Sequence, residues 1–182
     1  LASNWDTATV FAWHHDGSPV TGWPVTLIPP DGLAWGRCGN PALADLDLDG
    51  DSEVIVSAYR GSALTENGLF VLQGNGQPLP GWPIGRKSFP SPPWQYLGVP
   101  TAGDLDGDGF PEVVTGSYGS YGGRYSNNLS IYAFRRDGTL LPGWPQSMGG
   151  SNYVGIEILL NDLDHDGKVE VVAFGGINKT YI

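Results

Sequence analysis

Three segments of the chain set acidic residues at alternate positions around a glycine: "DLDLDGDSE" from Asp45, "DLDGDGFPE" from Asp104 and "DLDHDGKVE" from Asp162. Like charges so close repel, and the crowding is worthwhile only if something positive sits among them. Alternation in a tight loop turns the first, third and fifth carboxylates toward one centre. Glycine at the sixth position permits the sharp turn, and glutamate at the ninth closes the cage. An all-oxygen ligand set without ligating cysteine or histidine selects a hard cation, and Ca2+ in preference to the smaller octahedral Mg2+. Three Ca2+ sites are therefore expected. The first is built by Asp45, Asp47, Asp49, Asp51 and Glu53, the second by Asp104, Asp106, Asp108, Phe110 and Glu112, and the third by Asp162, Asp164, Asp166, Lys168 and Glu170. Asp51, Phe110 and Lys168 hold the seventh position and would act through main-chain oxygen.

A solvated Asp-Gly turn explains one such loop, but not three closed alike by glutamate. The leucine at each second position (Leu46, Leu105, Leu163) is expected to point away as a core anchor, and His165 to be exposed. The loops resemble an EF-hand in their first half only, because the glutamate comes at the ninth place and strands flank the loop. Charge supports a metal requirement. The net charge is −10, and 13 of the 19 acidic residues fall in windows 45–53, 104–112 and 162–170, so the excess is local rather than a solvating tail. Three divalent cations would bring the balance to −4. So acidic a surface also repels nucleic acid and anionic membranes.

The elements that must position these loops follow from the repeat. The Asp loops recur at spacings of 59 and 58, and the tripeptide GWP recurs out of phase with them at Gly22, Gly81 and Gly143. Each period reads as four short strands. The first ends at the Asp loop (Pro41 to Ala44, Pro100 to Gly103, Ile156 to Leu160), and the second follows it at once as "EVIVSA", "EVVTGS" or "EVVAFG". The third is "ATVFAWH", "LFVLQG" or "LSIYAFR"; an Asp-Gly or Asn-Gly turn then folds the chain into a fourth strand that runs into GWP. With 28 glycines, 15 prolines and no long apolar helical period, the class is all-β. Four antiparallel strands repeated radially describe β-propeller blades.

The expected layout is a single propeller segment over residues 1–182. It comprises a half blade at 1–24, a blade at 25–83 with loop 45–53, a blade at 84–145 with loop 104–112, and a half blade at 146–182 with loop 162–170. Both half blades would be completed by further chain or by a partner copy giving six blades. Because residue 1 is not Met and no signal peptide or membrane-spanning run is visible, the chain is read as a piece of something larger.

On the side opposite the loops, Trp35 and Trp94 each stand ten residues before the first Asp of their loop, with Tyr153 one place off. The connection "YGSYGGRYSNN" adds Tyr118, Tyr121, Arg124 and Tyr125, and Arg37 and Arg60 lie in comparable loops. Aromatics beside Arg and Asn suit sugar or protein recognition, although Trp35 and Trp94 also fit as wedges between blades. Trp23, Trp82 and Trp144 of the GWP motifs are expected to pack, His14 and His15 to be solvated, and Cys38 to be a small packed residue that excludes an internal disulfide. Asn128 and Asn178 fit glycosylation sequons. No Ser/His/Asp or Cys/His set is spaced for nucleophilic catalysis, and no surplus acid/base pair stands out apart from Glu157 close to the third loop.

The DxDxDGxxE loops with their following strands resemble the FG-GAP or VCBS repeats of integrin α-subunit heads and bacterial surface proteins. The resemblance covers essentially the whole chain. GWP after the fourth strand, in place of Gly-Ala-Pro after the second, looks closer to the bacterial form. It implies Ca2+ as cofactor, an extracellular site of action, and a non-catalytic module for adhesion, assembly or protein or glycan interaction. A lectin-like propeller using Trp35, Trp94, Tyr153, Tyr121 and Arg124, or the scaffold of a secreted polysaccharide-active enzyme, are the alternatives.

Overall fold

Each Val- and Ile-rich tract behind an Asp loop becomes a strand in the computed structural model, which describes residues 8–28, 37–60, 66–85, 89, 96–118, 120–121, 124–125, 129–149 and 156–175. Among these residues there are strands and turns and no helix. The first layer pairs β1 (Thr9–Val10) with β2 (Val25–Thr26). The second runs from β3 (Arg37–Cys38) and β4 (Ala42–Ala44), which share one side of β5 (Glu53–Arg60), through β6 (Glu66–Leu72) to β7 (Ile84–Gly85). The third repeats this order: β8 (Tyr96–Leu97) and β9 (Thr101–Gly103) on β10 (Glu112–Tyr118), then β13 (Leu129–Phe134) and β14 (Gln146–Gly149). A small hairpin, β11 (Ser120–Tyr121) with β12 (Arg124–Tyr125), lies between β10 and β13 in the chain. The fourth layer pairs β15 (Ile156–Asn161) with β16 (Glu170–Gly175). All pairings are antiparallel, and the two complete sheets have the four-stranded order of propeller blades.

The period-2 alternation of each central strand sorts its residues between two neighbours. On β5 and β6, Val56, Ala58, Phe70 and Leu72 meet Ala8, Trp23 and Leu27 of the first layer. Their alternates Ile55, Leu69 and Val71 meet Val113, Tyr132 and Phe134 of the third. The other face of the third sheet, through Val114, Ile131 and Ala133, packs on Ile156 with Ile158, Leu160, Val171 and Ala173 of the fourth layer. Interior strands are thus apolar on both faces, while the outermost faces stay open. Phe11 and Trp13, stacked at 5.5 Å, are 54% and 61% exposed at one end, and Leu159 and Phe174 are 71% and 69% exposed at the other.

The GWP motif is the joint between layers. Its glycines take positive φ (91° at Gly22, 94° at Gly81, 89° at Gly143), and the Trp-Pro bonds that follow are cis. Trp23 and Trp82 are buried, as the strict repetition of the motif predicts, and each indole N–H donates to a carbonyl in a turn of the next layer: Trp23 to Gly74 at 2.9 Å and Trp82 to Arg136 at 2.7 Å. Trp82→Phe keeps the ring but strands the Arg136 carbonyl. It should cost about 1–2 kcal/mol in a urea melt, whereas the same change at partly exposed Trp144 should be near neutral.

Three expectations are corrected. The fourth strand follows GWP instead of running into it: the residues before it make only the isolated bridges Trp13 with Pro19, Leu72 with Pro78 and Phe134 with Leu140, because a tight turn intervenes. Cys38 is exposed on β3, not packed, since the sheet continues past it on one side only. Leu46 is fully buried and Leu105 packs partly, but Leu163 is 57% exposed, because no layer covers the outer side of β15 and β16 among the described residues.

Candidate metal centre

Strand order brings each Asp loop to the hairpin joining the first and second strands of its sheet, between β4 and β5, β9 and β10, and β15 and β16. The backbone then folds each loop by the same hydrogen bonds. The sixth-position glycine N–H donates to the first Asp, from Gly50 to Asp45 at 3.0 Å, Gly109 to Asp104 at 2.9 Å and Gly167 to Asp162 at 3.1 Å. The seventh residue donates to the fifth-position Asp, from Asp51 to Asp49, Phe110 to Asp108 and Lys168 to Asp166, each at 2.9 Å. The leucine N–H at position two donates to the closing glutamate, from Leu46 to Glu53 at 2.7 Å, Leu105 to Glu112 at 2.9 Å and Leu163 to Glu170 at 2.7 Å. The leucine amide thus orients the glutamate in all three loops, while the side chain anchors only at Leu46 and, in part, Leu105.

These bonds leave carboxylates facing one another. Oxygens of Asp45, Asp47 and Glu53 lie within 4.8 Å of each other, as do those of Asp104, Asp106 and Asp108, and of Asp162, Asp164 and Glu170. Glu53 and Glu112 are each only 1% exposed. Burial raises the affinity of both for a proton, the Asp residues around them add to that rise, and the leucine amide opposes it. Buried oxygens without a hydrogen-bond partner complete the picture: Asp45 Oδ1 and Asp47 Oδ1 in the first loop and Asp162 Oδ1 in the third. Orphaned, converging, anionic oxygens are the environment a hard cation satisfies, so the residues present fit Ca2+.

The turn after β13 lies against the second loop. Arg135, at the end of β13, donates to Asp106 Oδ2 at 2.9 Å, and the Arg136 guanidinium lies 4.2 Å from the Phe110 ring centre. Between layers, Val169 N–H donates to the Asp104 carbonyl at 3.0 Å. The Asp16 and Asp137 carboxyls are held below the usual range by hydrogen bonds from Ser18 and Thr139. A cleft of 560 Å³ opens beside the second and third loops, between Asp106, Arg135, Trp144, Lys168 and Glu170.

His14, His15 and His165 are exposed, as anticipated, and His165 takes a left-handed φ of 65°. Glu157 is exposed on the outer face of β15, across from Phe174, without an acid partner among the described residues. The ligand-face expectation lies outside the described residues at Trp35, Trp94 and Tyr153; for Tyr121 and Arg124 only the backbone pairing of β11 with β12 is described. Arg135 and Arg136 were not singled out from sequence. Their signal was the "RRDG" turn, in which two cations stand where the preceding repeat has Gln73 and Gly74.

Comparison with known proteins bears on the same segment. A family model for the FG-GAP-like repeat matches residues 45–115. Integrin alpha-IIb from Homo sapiens is 28% identical over 120 residues, 64% of this chain and 11% of that protein. Integrin alpha-5 from Xenopus laevis is 31% identical over 99 residues, 47% of this chain and 9% of that protein. The chain thus spans about a tenth of the length of these relatives. No solved structure gives a significant match.

Proposed function

The chain is an FG-GAP-like, integrin-like repeat protein, and from that premise we propose that it is a Ca2+-stabilised, non-catalytic propeller module of a secreted or cell-surface protein, serving adhesion or assembly. The observation that carries this reading is the set of partnerless buried oxygens on Asp45, Asp47 and Asp162. When bound, Ca2+ supplies positive charge that cancels the repulsion within each loop. In the first loop Asp45, Asp47, Asp49 and Glu53 would hold it by side chain and Asp51 by its carbonyl. Asp104, Asp106, Asp108, Glu112 and the Phe110 carbonyl do the same in the second. Asp162, Asp164, Asp166, Glu170 and the Lys168 carbonyl complete the third. An extracellular location agrees with this, since millimolar Ca2+ there fills even weak loops. No helix among the described residues is long and apolar enough to cross a membrane.

Calorimetric titration with Ca2+ tests the reading. Three equivalents should bind, and Glu53→Gln, which keeps an acceptor for the Leu46 amide but removes a charge, should weaken one of them by about tenfold or more. Failure of the intact chain to take up Ca2+ at millimolar concentration would overturn it.

The open outer layers support a role in assembly. Phe11 and Trp13 occupy register positions that in the following layers pack against the preceding one, while Leu159, Val172 and Phe174 occupy positions that pack against the next. We assign both faces to contact with further repeats of the same kind, from the same polypeptide or a second copy. Sedimentation of the chain over a range of concentrations checks this. A folded species that remains monomeric at high concentration would count against the second copy.

A further inference from the structure

The three loops share a sequence pattern but not an electrostatic setting. In the first loop, five carboxylates (Asp45, Asp47, Asp49, Asp51 and Glu53) have no cationic side chain bonded to them among the described residues. In the third, Asp162, Asp164, Asp166 and Glu170 are likewise unpaired with any cation among the described residues. In the second, Asp106 receives the Arg135 guanidinium at 2.9 Å. Lys168 also reaches the second loop: its Cε lies 2.9 Å from where a Cβ on Gly107 would stand.

The orphan oxygens follow the same division. The first and third loops leave Asp45 Oδ1, Asp47 Oδ1 and Asp162 Oδ1 buried without a partner, and no oxygen of the second loop is in that state among the described residues. Hydrogen bonds account for this. At the fourth position, where Leu48, Gly107 and His165 all take left-handed φ, Gly107 donates its N–H to Asp104 Oδ1 at 2.8 Å. The Asp108 amide donates to Asp106 Oδ1 at 3.2 Å, and Arg135 engages Asp106 Oδ2. Where the first and third loops need an outside cation to satisfy their oxygens, the second is partly neutralised by the protein itself.

We infer that the second loop is the weak member of the three Ca2+ sites, and that Arg135 sets its affinity by holding Asp106 with a fixed positive charge. This rests on the Ca2+ reading of the loops proposed above. A bound cation would share Asp106 with the guanidinium or displace it, and either course costs affinity that the first and third loops do not lose. The chain would then load in two stages: the first and third loops at low Ca2+, and the second as Ca2+ rises. Because the second loop joins β9 to β10 and contacts the third through Val169, its filling is the step that would tighten the junction of the third and fourth layers.

The repeat supplies a control, since Gln73 stands in the first complete sheet where Arg135 stands in the second. Calcium titration calorimetry of the intact chain should show two tighter sites and one weaker. Arg135→Gln should tighten the weak site by about tenfold and leave the other two unchanged, as expected for removing one nearby positive charge. Gln73→Arg should conversely loosen one of the tight sites by a similar factor, and both effects should shrink as ionic strength rises. Three sites of equal affinity in the wild-type chain, or an Arg135→Gln variant whose weak site is unchanged or weaker, would overturn the inference while leaving the Ca2+ reading standing. Absence of Ca2+ uptake in all three proteins would overturn the Ca2+ reading and the inference with it.

Discussion

Removing Ca2+ with a chelator is expected to lower the melting temperature of this chain by on the order of 10–20 °C. Each loop concentrates at least four carboxylates, and in the complete sheets the closing glutamate is 1% exposed, so without a cation the folded state carries charge repulsion that the unfolded chain relieves by expanding. A ligand that binds only the folded state stabilises it by about 2.7 kcal/mol at a concentration one hundredfold above its Kd. For a chain of this size each kcal/mol moves the midpoint by roughly 2–4 °C, so even two well-filled sites reach the stated range. Calorimetric melts in millimolar Ca2+ and in excess chelator measure it. Coincident melts would remove the structural role of the metal. Mg2+ at equal concentration should recover much less of the shift, because converging carboxylates suit the larger, more flexible coordination sphere.

Gly81→Ala should destabilise the chain by about 3–5 kcal/mol, and Gly143→Ala by only about 1 kcal/mol. Both glycines take left-handed φ, at 94° and 89°, so both substitutions meet the same backbone strain. They differ in surroundings. A Cβ on Gly81 would run into the Asp137 carbonyl of the next layer, and one on Gly22 into the Asn75 carbonyl, whereas a Cβ on Gly143 meets nothing within 4 Å. The Asp137 carbonyl follows directly on the Arg136 carbonyl that the Trp82 indole holds at 2.7 Å, so this stretch of backbone cannot step aside without straining that bond. Urea unfolding of the two variants side by side separates local strain from interlayer clash. Equal losses would mean that the layers part more readily than this packing implies.

Much of the fold was legible because its signals are local. Alternating Val and Ile after each loop, Asp-Gly and Asn-Gly turns, and a repeat of fixed length each follow from neighbouring residues, and they led to four-stranded antiparallel sheets in the right class. The fourth strand was misplaced because GWP reads as the end of a strand, although the turn at Gly22, Gly81 and Gly143 delivers the chain to β2, β7 and β14 only afterwards. Burial was legible only where a neighbour exists. Leu46 and Leu163 hold the same place in the motif, yet one is fully buried and the other 57% exposed, because packing belongs to the adjacent layer and not to the motif.

By itself the sequence determined the class of fold, the period of the repeat, and which acidic residues converge in each loop, since alternation, glycine placement and charge act over fewer than ten residues. Tertiary structure decided what local pattern cannot encode. It set which faces are covered, that the Trp82 indole fastens one layer to the next through the Arg136 carbonyl, and that Arg135 reaches Asp106, 29 residues away in the chain. Three loops alike in sequence thereby become unlike in charge, because electrostatic energy depends on the distance between groups in space, which only the stacking and pairing of the sheets establishes.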